Sequence, residues 1–209
     1  TMAEITAAVA VAKFVGEVVR VAVDASSDES IKTSATTTRI REWANERTVF
    51  GSVDETVKFV KSPVLVRLSQ GYERKSDSRS HVFFAEASAG KTTGARAFFK
   101  FFLGSDEVQA PGLMITGDES NDYLAHMASK FGVEKPEDYS SWLKCLFAAL
   151  RRPLDCDQPH GVLLLDEFNS VGENDKNLAF AKALCRAVYD KKCNFTIVFI
   201  TQNLDVATK

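Results

Sequence analysis

Ala85-Glu86-Ala87-Ser88-Ala89-Gly90-Lys91-Thr92 is a run in which five of eight residues are Ala, Ser or Gly. Small side chains let a backbone turn successive N–H groups toward one centre, and such a centre attracts anions. A helical pattern begins at Lys91, so the partial positive charge of a helix N-terminus points at the same place. Lys91 adds an ammonium, and Thr92 adds a hydroxyl of the kind that binds a hard cation. The second group, 75 residues after Lys91, is Asp166-Glu167, which follows Gly161 and the apolar run Val162–Leu165. Two carboxylates at the end of a buried strand can divide the work. One holds a cation, and the other, near but not on the metal, accepts a proton from water. A third polar group, Thr201-Gln202-Asn203, ends the apolar run Phe195–Ile200.

The first run fits the phosphate-loop pattern GxxxxGK[ST], with Ala85 in place of its leading glycine. The backbone and side chains from Glu86, Ala87, Ser88, Ala89, Gly90, Lys91, Thr92 and Thr93 are the expected nucleotide cradle, with Lys91 on the β- and γ-phosphates. Thr92 and Asp166 are the expected Mg²⁺ residues. If a position such as Ala85 or Ser88 demands a positive φ, a side chain there costs on the order of 1–2 kcal/mol. Each charge-assisted hydrogen bond to phosphate contributes about 1.5–3 kcal/mol, and a loop of this kind makes several. Weakened or slower function is therefore expected, rather than none. The bland alternatives stay open: a Gly-Lys-Thr at a helix start that binds nothing, and an ordinary strand end with exposed acids.

The elements that position these groups are short apolar runs alternating with helical stretches. The runs are 81–84, 113–116, 161–165 and 195–200, and helices are expected over 91–103, 121–131, 140–151 and 174–190. Continuous apolar runs between helices indicate buried parallel strands in a three-layer α/β/α sandwich, whose ligands bind beyond the carboxyl ends of the strands. Before this core, residues 39–80 read as a lead-in. It has a short helix over 40–47, a second helix after the capping-box pattern at Ser52, a strand over 64–68 and a polar loop over 72–80. Residues 25–38 are rich in Ser and Thr and read as a linker. Residues 2–24 read as an amphipathic helix, because Lys13, Glu17, Arg20 and Asp24 form one polar stripe at helical spacing. Its wide apolar face is covered by the chain's own core, a second copy or a protein partner. A membrane-surface role is disfavoured by a polar face carrying two acids and two bases. Thr1, ahead of Met2, reads as a cloning remnant.

Taken together, the loop, Gly161–Glu167 and the strand ending in Thr201-Gln202-Asn203 resemble the Walker A, Walker B and sensor-1 elements of AAA+ and STAND-type signalling ATPases. The resemblance covers 81–203. It implies a P-loop NTPase that binds ATP with Mg²⁺, with Glu167 as the base and Asn203, ahead of Thr201, orienting the water. It also implies a sheet in which the Walker B strand does not adjoin the loop strand, with 113–116 as the outer strand. Residues Val64–Leu68 would border the adenine. The elements that follow sensor 1 in a complete AAA+ module do not fit in the six residues after Asn203, so a truncated or minimal domain is expected. With Arg151 and Arg152 reading first as surface charges, hydrolysis is expected to be slow without an arginine supplied in trans. The rival reading is a nucleotide-gated interaction module with little hydrolysis.

Composition sets the outer limits. Apolar residues make up 45% and charged residues 26%, a globular balance. The net charge of -2 gives no reason to expect a nucleic-acid binder. It hides an asymmetry, since 39–100 holds 12 basic and 7 acidic residues against 14 and 21 elsewhere. That surplus suits a polyanion or is solvated surface. The run Phe98-Phe99-Lys100-Phe101-Phe102 lies in the helix after the loop and reads as core packing, not a base-stacking platform. Cys145, Cys156, Cys185 and Cys193 show no zinc-like spacing with His81, His126 or His160, so buried thiols in a reducing, cytoplasmic setting are expected.

Overall fold

The computed structural model describes residues 29–50, 61–73, 80–84, 86, 89–116, 123–150, 161–168, 175–189 and 195–202. The helix expected over 2–24, the one after Ser52, Arg151, Arg152, Cys156, Cys193 and Asn203 lie outside them.

Five strands, β1 (Val49–Phe50), β2 (Ser80–Phe84), β3 (Gly112–Thr116), β4 (Gly161–Asp166) and β5 (Phe195–Thr201), form one parallel sheet in the order β1-β3-β4-β5-β2. β5 therefore lies between the loop strand β2 and the acidic strand β4, and β3 lies outside β4. The two-residue edge strand β1 carries no apolar run long enough to announce it; pairing with Gly112 and Leu113 of β3 creates it.

Strands of a sheet covered on both faces are apolar throughout, and successive side chains alternate between the layers. Leu113, Ile115, Leu163, Leu165, Ile197 and Phe199 pack on one face with α2 (Ala35–Glu46), α5 (Tyr123–Phe131), α6 (Tyr139–Leu150) and α7 (Asp175–Tyr189). Met114, Val162, Leu164, Val198 and Ile200 pack on the other with α3 (Pro63–Glu73) and α4 (Lys91–Phe98). The result is the three-layer α/β/α sandwich of a P-loop NTPase.

Three local expectations are corrected. Residues 29–38 are no linker: a short helix, α1 (Glu29–Lys32), precedes α2, which begins inside the Ser/Thr run. The polar residues act as a cap, because Ser34 Oγ accepts the Thr37 N–H at 3.2 Å. Thr37, fully buried, donates its hydroxyl to Ile31 O at 2.6 Å. Ser and Thr compete with the backbone for hydrogen bonds, and this suits a helix start as well as a loop. Second, 64–68 is not a strand but lies within α3. Leu65 and Leu68 are buried in the core cluster with Ala95 and Phe98, so they are packing residues rather than a base-binding wall. Third, the helix expected over 91–103 changes pitch: residues Phe99–Leu103 form a π-helical turn, with Gly104 N–H reaching Phe99 O at 3.1 Å. The changed pitch alters which faces are shared. Phe98, Phe99 and Leu103 are fully buried, whereas Phe101 and Phe102 are half-buried. Phe102 stacks on Phe98 at 5.3 Å, so the Phe run is core packing.

Among the described residues no helix is long and apolar enough to cross a membrane, and no group of three or more His, Cys, Asp or Glu side chains is placed to hold a metal. Cys145 and Cys185 are half-buried and not disulfide-bonded, and Cys145 Sγ lies 3.7 Å from Ser34 Oγ.

Candidate functional site

The carboxyl ends of β4 and β5 and the start of α4 converge on one cavity of about 260 Å³. Ala89, Gly90, Lys91, Thr92, Thr93, Asp166, Glu167, Ile200, Thr201 and Gln202 line it. Seven of these are residues marked by the sequence as cradle, cation ligand or base. Residues 64–68 contribute nothing to the lining. Ala85, Ala87, Ser88 and Asn203 lie outside the described residues.

Gly90 forms the turn into α4. It is the N-cap at φ 74°, ψ 18°, a left-handed conformation that suits glycine, and its carbonyl accepts the Gly94 N–H at 2.9 Å. The N-terminus of α4 thereby opens directly on the cavity. Lys91 is only 7% exposed, and its Nζ donates to the Glu86 carbonyl at 2.7 Å, which draws the ammonium back across the loop. Thr92 is half-buried and Thr93 exposed.

Asp166 closes β4 opposite Thr116 and is 1% exposed. Its two carboxylate oxygens differ. Oδ1 accepts the Glu167 N–H at 2.9 Å, while Oδ2 is buried with no hydrogen-bond partner among the described residues. A buried carboxylate oxygen left unpaired is costly, and nearly all such atoms in folded proteins are satisfied. The fit of a divalent cation is tested by this atom. A hard-cation oxygen ligand, beside a threonine hydroxyl at a helix start, is what Mg²⁺ takes from a protein.

Glu167 turns the chain out of the strand with φ 55°, and its side chain is exposed at the cavity. Its N–H is committed to Asp166 Oδ1, so the next one, Phe168 N–H, bonds Ile200 O at 2.8 Å. The ladder between β4 and β5 thus continues past one extra residue, as in a bulge, and the bulge aims Glu167 at the cavity rather than along the sheet.

Sequence reasoning ranked Thr201 behind Asn203 and passed over Gln202, yet both Thr201 and Gln202 line the cavity. The parallel register, a tertiary feature, ends β5 at Thr201 against Phe84 of the loop strand. Tyr123, whose buried hydroxyl donates to the Asp166 carbonyl at 3.2 Å, left no signal at all. It stands 43 residues from its partner, at the first turn of α5.

A parallel sheet with a glycine-turned helix start, a lysine and a strand-end acid gathered at one edge defines a P-loop NTPase. Residues 74–208, more than half of the chain, match the AAA domain family, and the chain belongs to that family. No curated protein matches it. Membership carries a nucleotide-binding, ATPase-type function.

Proposed function

We propose that this chain binds ATP with Mg²⁺ and hydrolyses it slowly, gating or driving a conformational change in a larger protein or assembly. The observation that carries the reading is the unpaired, buried Oδ2 of Asp166 on a cavity it shares with Lys91 and Thr92.

Backbone N–H groups of the loop from Glu86 to Thr93 and the positive end of α4 receive the phosphates. Lys91 releases or shares its bond to the Glu86 carbonyl and neutralises the β- and γ-phosphate oxygens. Thr92 and Asp166 would hold the Mg²⁺, which would supply charge neutralisation to the phosphates. Glu167 takes the proton of the attacking water. Thr201, at the end of β5, and Asn203, two residues further along the sequence, are the candidates for orienting that water. The slow rate is supported by Ala85 and Ser88, which stand where the loop pattern commonly has glycines.

The experiment is a nucleotide titration with and without Mg²⁺, repeated on Lys91→Ala, with phosphate release measured for the parent chain and Glu167→Gln. ATP binding that strengthens with Mg²⁺ and fails in Lys91→Ala supports the reading. Binding indifferent to both Mg²⁺ and Lys91→Ala refutes it. Fast turnover in the isolated chain contradicts the slow rate, and turnover unchanged by Glu167→Gln removes that residue as the base.

A further inference from the structure

The peptide that joins Asp166 to Glu167 is held at both of its polar ends. Its carbonyl accepts the Tyr123 hydroxyl at 3.2 Å, and its N–H donates to Asp166 Oδ1 at 2.9 Å. The orientation of this peptide plane sets ψ of Asp166 and φ of Glu167. Glu167 sits at φ 55°, a conformation that residues with a Cβ seldom adopt without an external constraint. Flipping the plane would return Glu167 to negative φ and withdraw the N–H from Oδ1.

Tyr123 is placed to oppose that flip. It is fully buried at the first turn of α5, and its ring lies 5.5 Å from that of Phe168. Phe168 in turn packs 5.1 Å from Phe199 and bonds Ile200 O through its N–H. The phenol therefore reaches the peptide from a fixed platform made by β5 and the bulge.

We propose that Tyr123 is a positioning residue of the cation site. Its hydroxyl locks the 166–167 peptide so that Oδ1 stays bonded to the chain, Oδ2 is the oxygen left for the metal, and Glu167 faces the cavity. The proposal deepens the Mg²⁺-nucleotide reading of this cavity and rests on it for the metal. The lock itself belongs to the ligand-free chain and is measurable there.

The test is Tyr123→Phe, which keeps the ring and removes one oxygen. In the ligand-free chain, hydrogen exchange at the Glu167 amide is expected to speed up by about fivefold or more, since the bond it relies on loses its support. With ATP bound, the Mg²⁺ midpoint is expected to rise by about tenfold, the usual loss when a partner of a ligating group is removed. ATP affinity without Mg²⁺ is expected to stay unchanged. Repeating Tyr123→Phe in a Glu167→Gly background separates locking from packing, because glycine takes positive φ without a Cβ. There the Mg²⁺ midpoint is expected to move less than about twofold, within the scatter of non-interacting sites. Equal losses in both backgrounds, unchanged exchange at the Glu167 amide, or failure of Tyr123→Phe to fold would each overturn the lock. If the parent chain shows no Mg²⁺-dependent ATP binding, the functional reading fails instead, and amide exchange alone decides whether Tyr123 holds the peptide.

Discussion

Gly94→Ala puts a single methyl group where the helix that carries Lys91 and Thr92 crosses the start of α3. A Cβ at Gly94 would fall on Ser62 Oγ and stand 2.8 Å from Val64 Cβ. Ser62 Oγ is not free to swing aside, since it caps α3 by accepting the Leu65 N–H at 3.1 Å. Loss of such a cap costs about 1 kcal/mol. Val64 Cβ is fixed to the backbone, and overpacking of that kind costs about 1–3 kcal/mol. Against this, alanine gains about 1 kcal/mol over glycine inside a helix. The balance is a loss of about 1–3 kcal/mol, and a chain of this size loses about 2–4 °C in Tm per kcal/mol. Thermal or urea unfolding of Gly94→Ala, Ser62→Ala and the double variant closes a cycle. Ser62→Ala alone forfeits the cap, so the double variant should be more stable than the sum of the singles by about 1 kcal/mol. Additivity within about 0.3–0.5 kcal/mol would refute the crossing as the reason for this glycine. Gly90→Ala makes the contrast: a Cβ there meets nothing within 4 Å among the described residues, and the φ of 74° is what resists it. Its cost, about 1–2 kcal/mol of backbone strain, should be indifferent to Ser62→Ala.

Asp166→Asn should keep the acceptor for the Glu167 N–H while removing the metal's oxygen. The parent should gain about 2.7 kcal/mol from ligand at a hundredfold its Kd, and Asp166→Asn should lose the Mg²⁺-dependent part of that gain in a thermal shift assay. An undiminished Mg²⁺ increment would exclude Asp166 as a ligand. A chain starting at residue 39 should melt below one starting at residue 29, by at least the 2–4 °C that correspond to the roughly 1 kcal/mol of the Ser34 cap. Equal midpoints would restore 29–38 to the status of a linker.

Where sequence reasoning succeeded, the physics was local. Apolar runs such as 161–165 and 195–200 have no polar face to offer solvent, so they had to be interior strands, and the helices between them forced parallel pairing. Gly90-Lys91-Thr92 at a helix start and Asp166-Glu167 at a strand end then fell on the same sheet edge. Where it failed, a choice between two local options was settled by a distant partner. Val64–Leu68 is apolar enough for a strand, but its packing on α4, permitted by the bare Cα of Gly94, makes it a helix. The Ser/Thr run before α2 suits a loop and a cap equally, and burial of Thr37 chose the cap.

By itself the chain's sequence determined the α/β/α class, the order of its principal strands' functions and the identity of the lysine, threonine and two acids at the cavity. Their periodicity and residue types act over a few neighbours. Only the tertiary structure decided that β1 pairs with β3 at the sheet edge, that Gln202 joins Thr201 at the cavity, and that the Tyr123 hydroxyl bonds the peptide between the two acids. Those outcomes depend on contacts between residues tens of positions apart, and no short-range pattern encodes a hydrogen bond whose geometry exists only once the layers have closed.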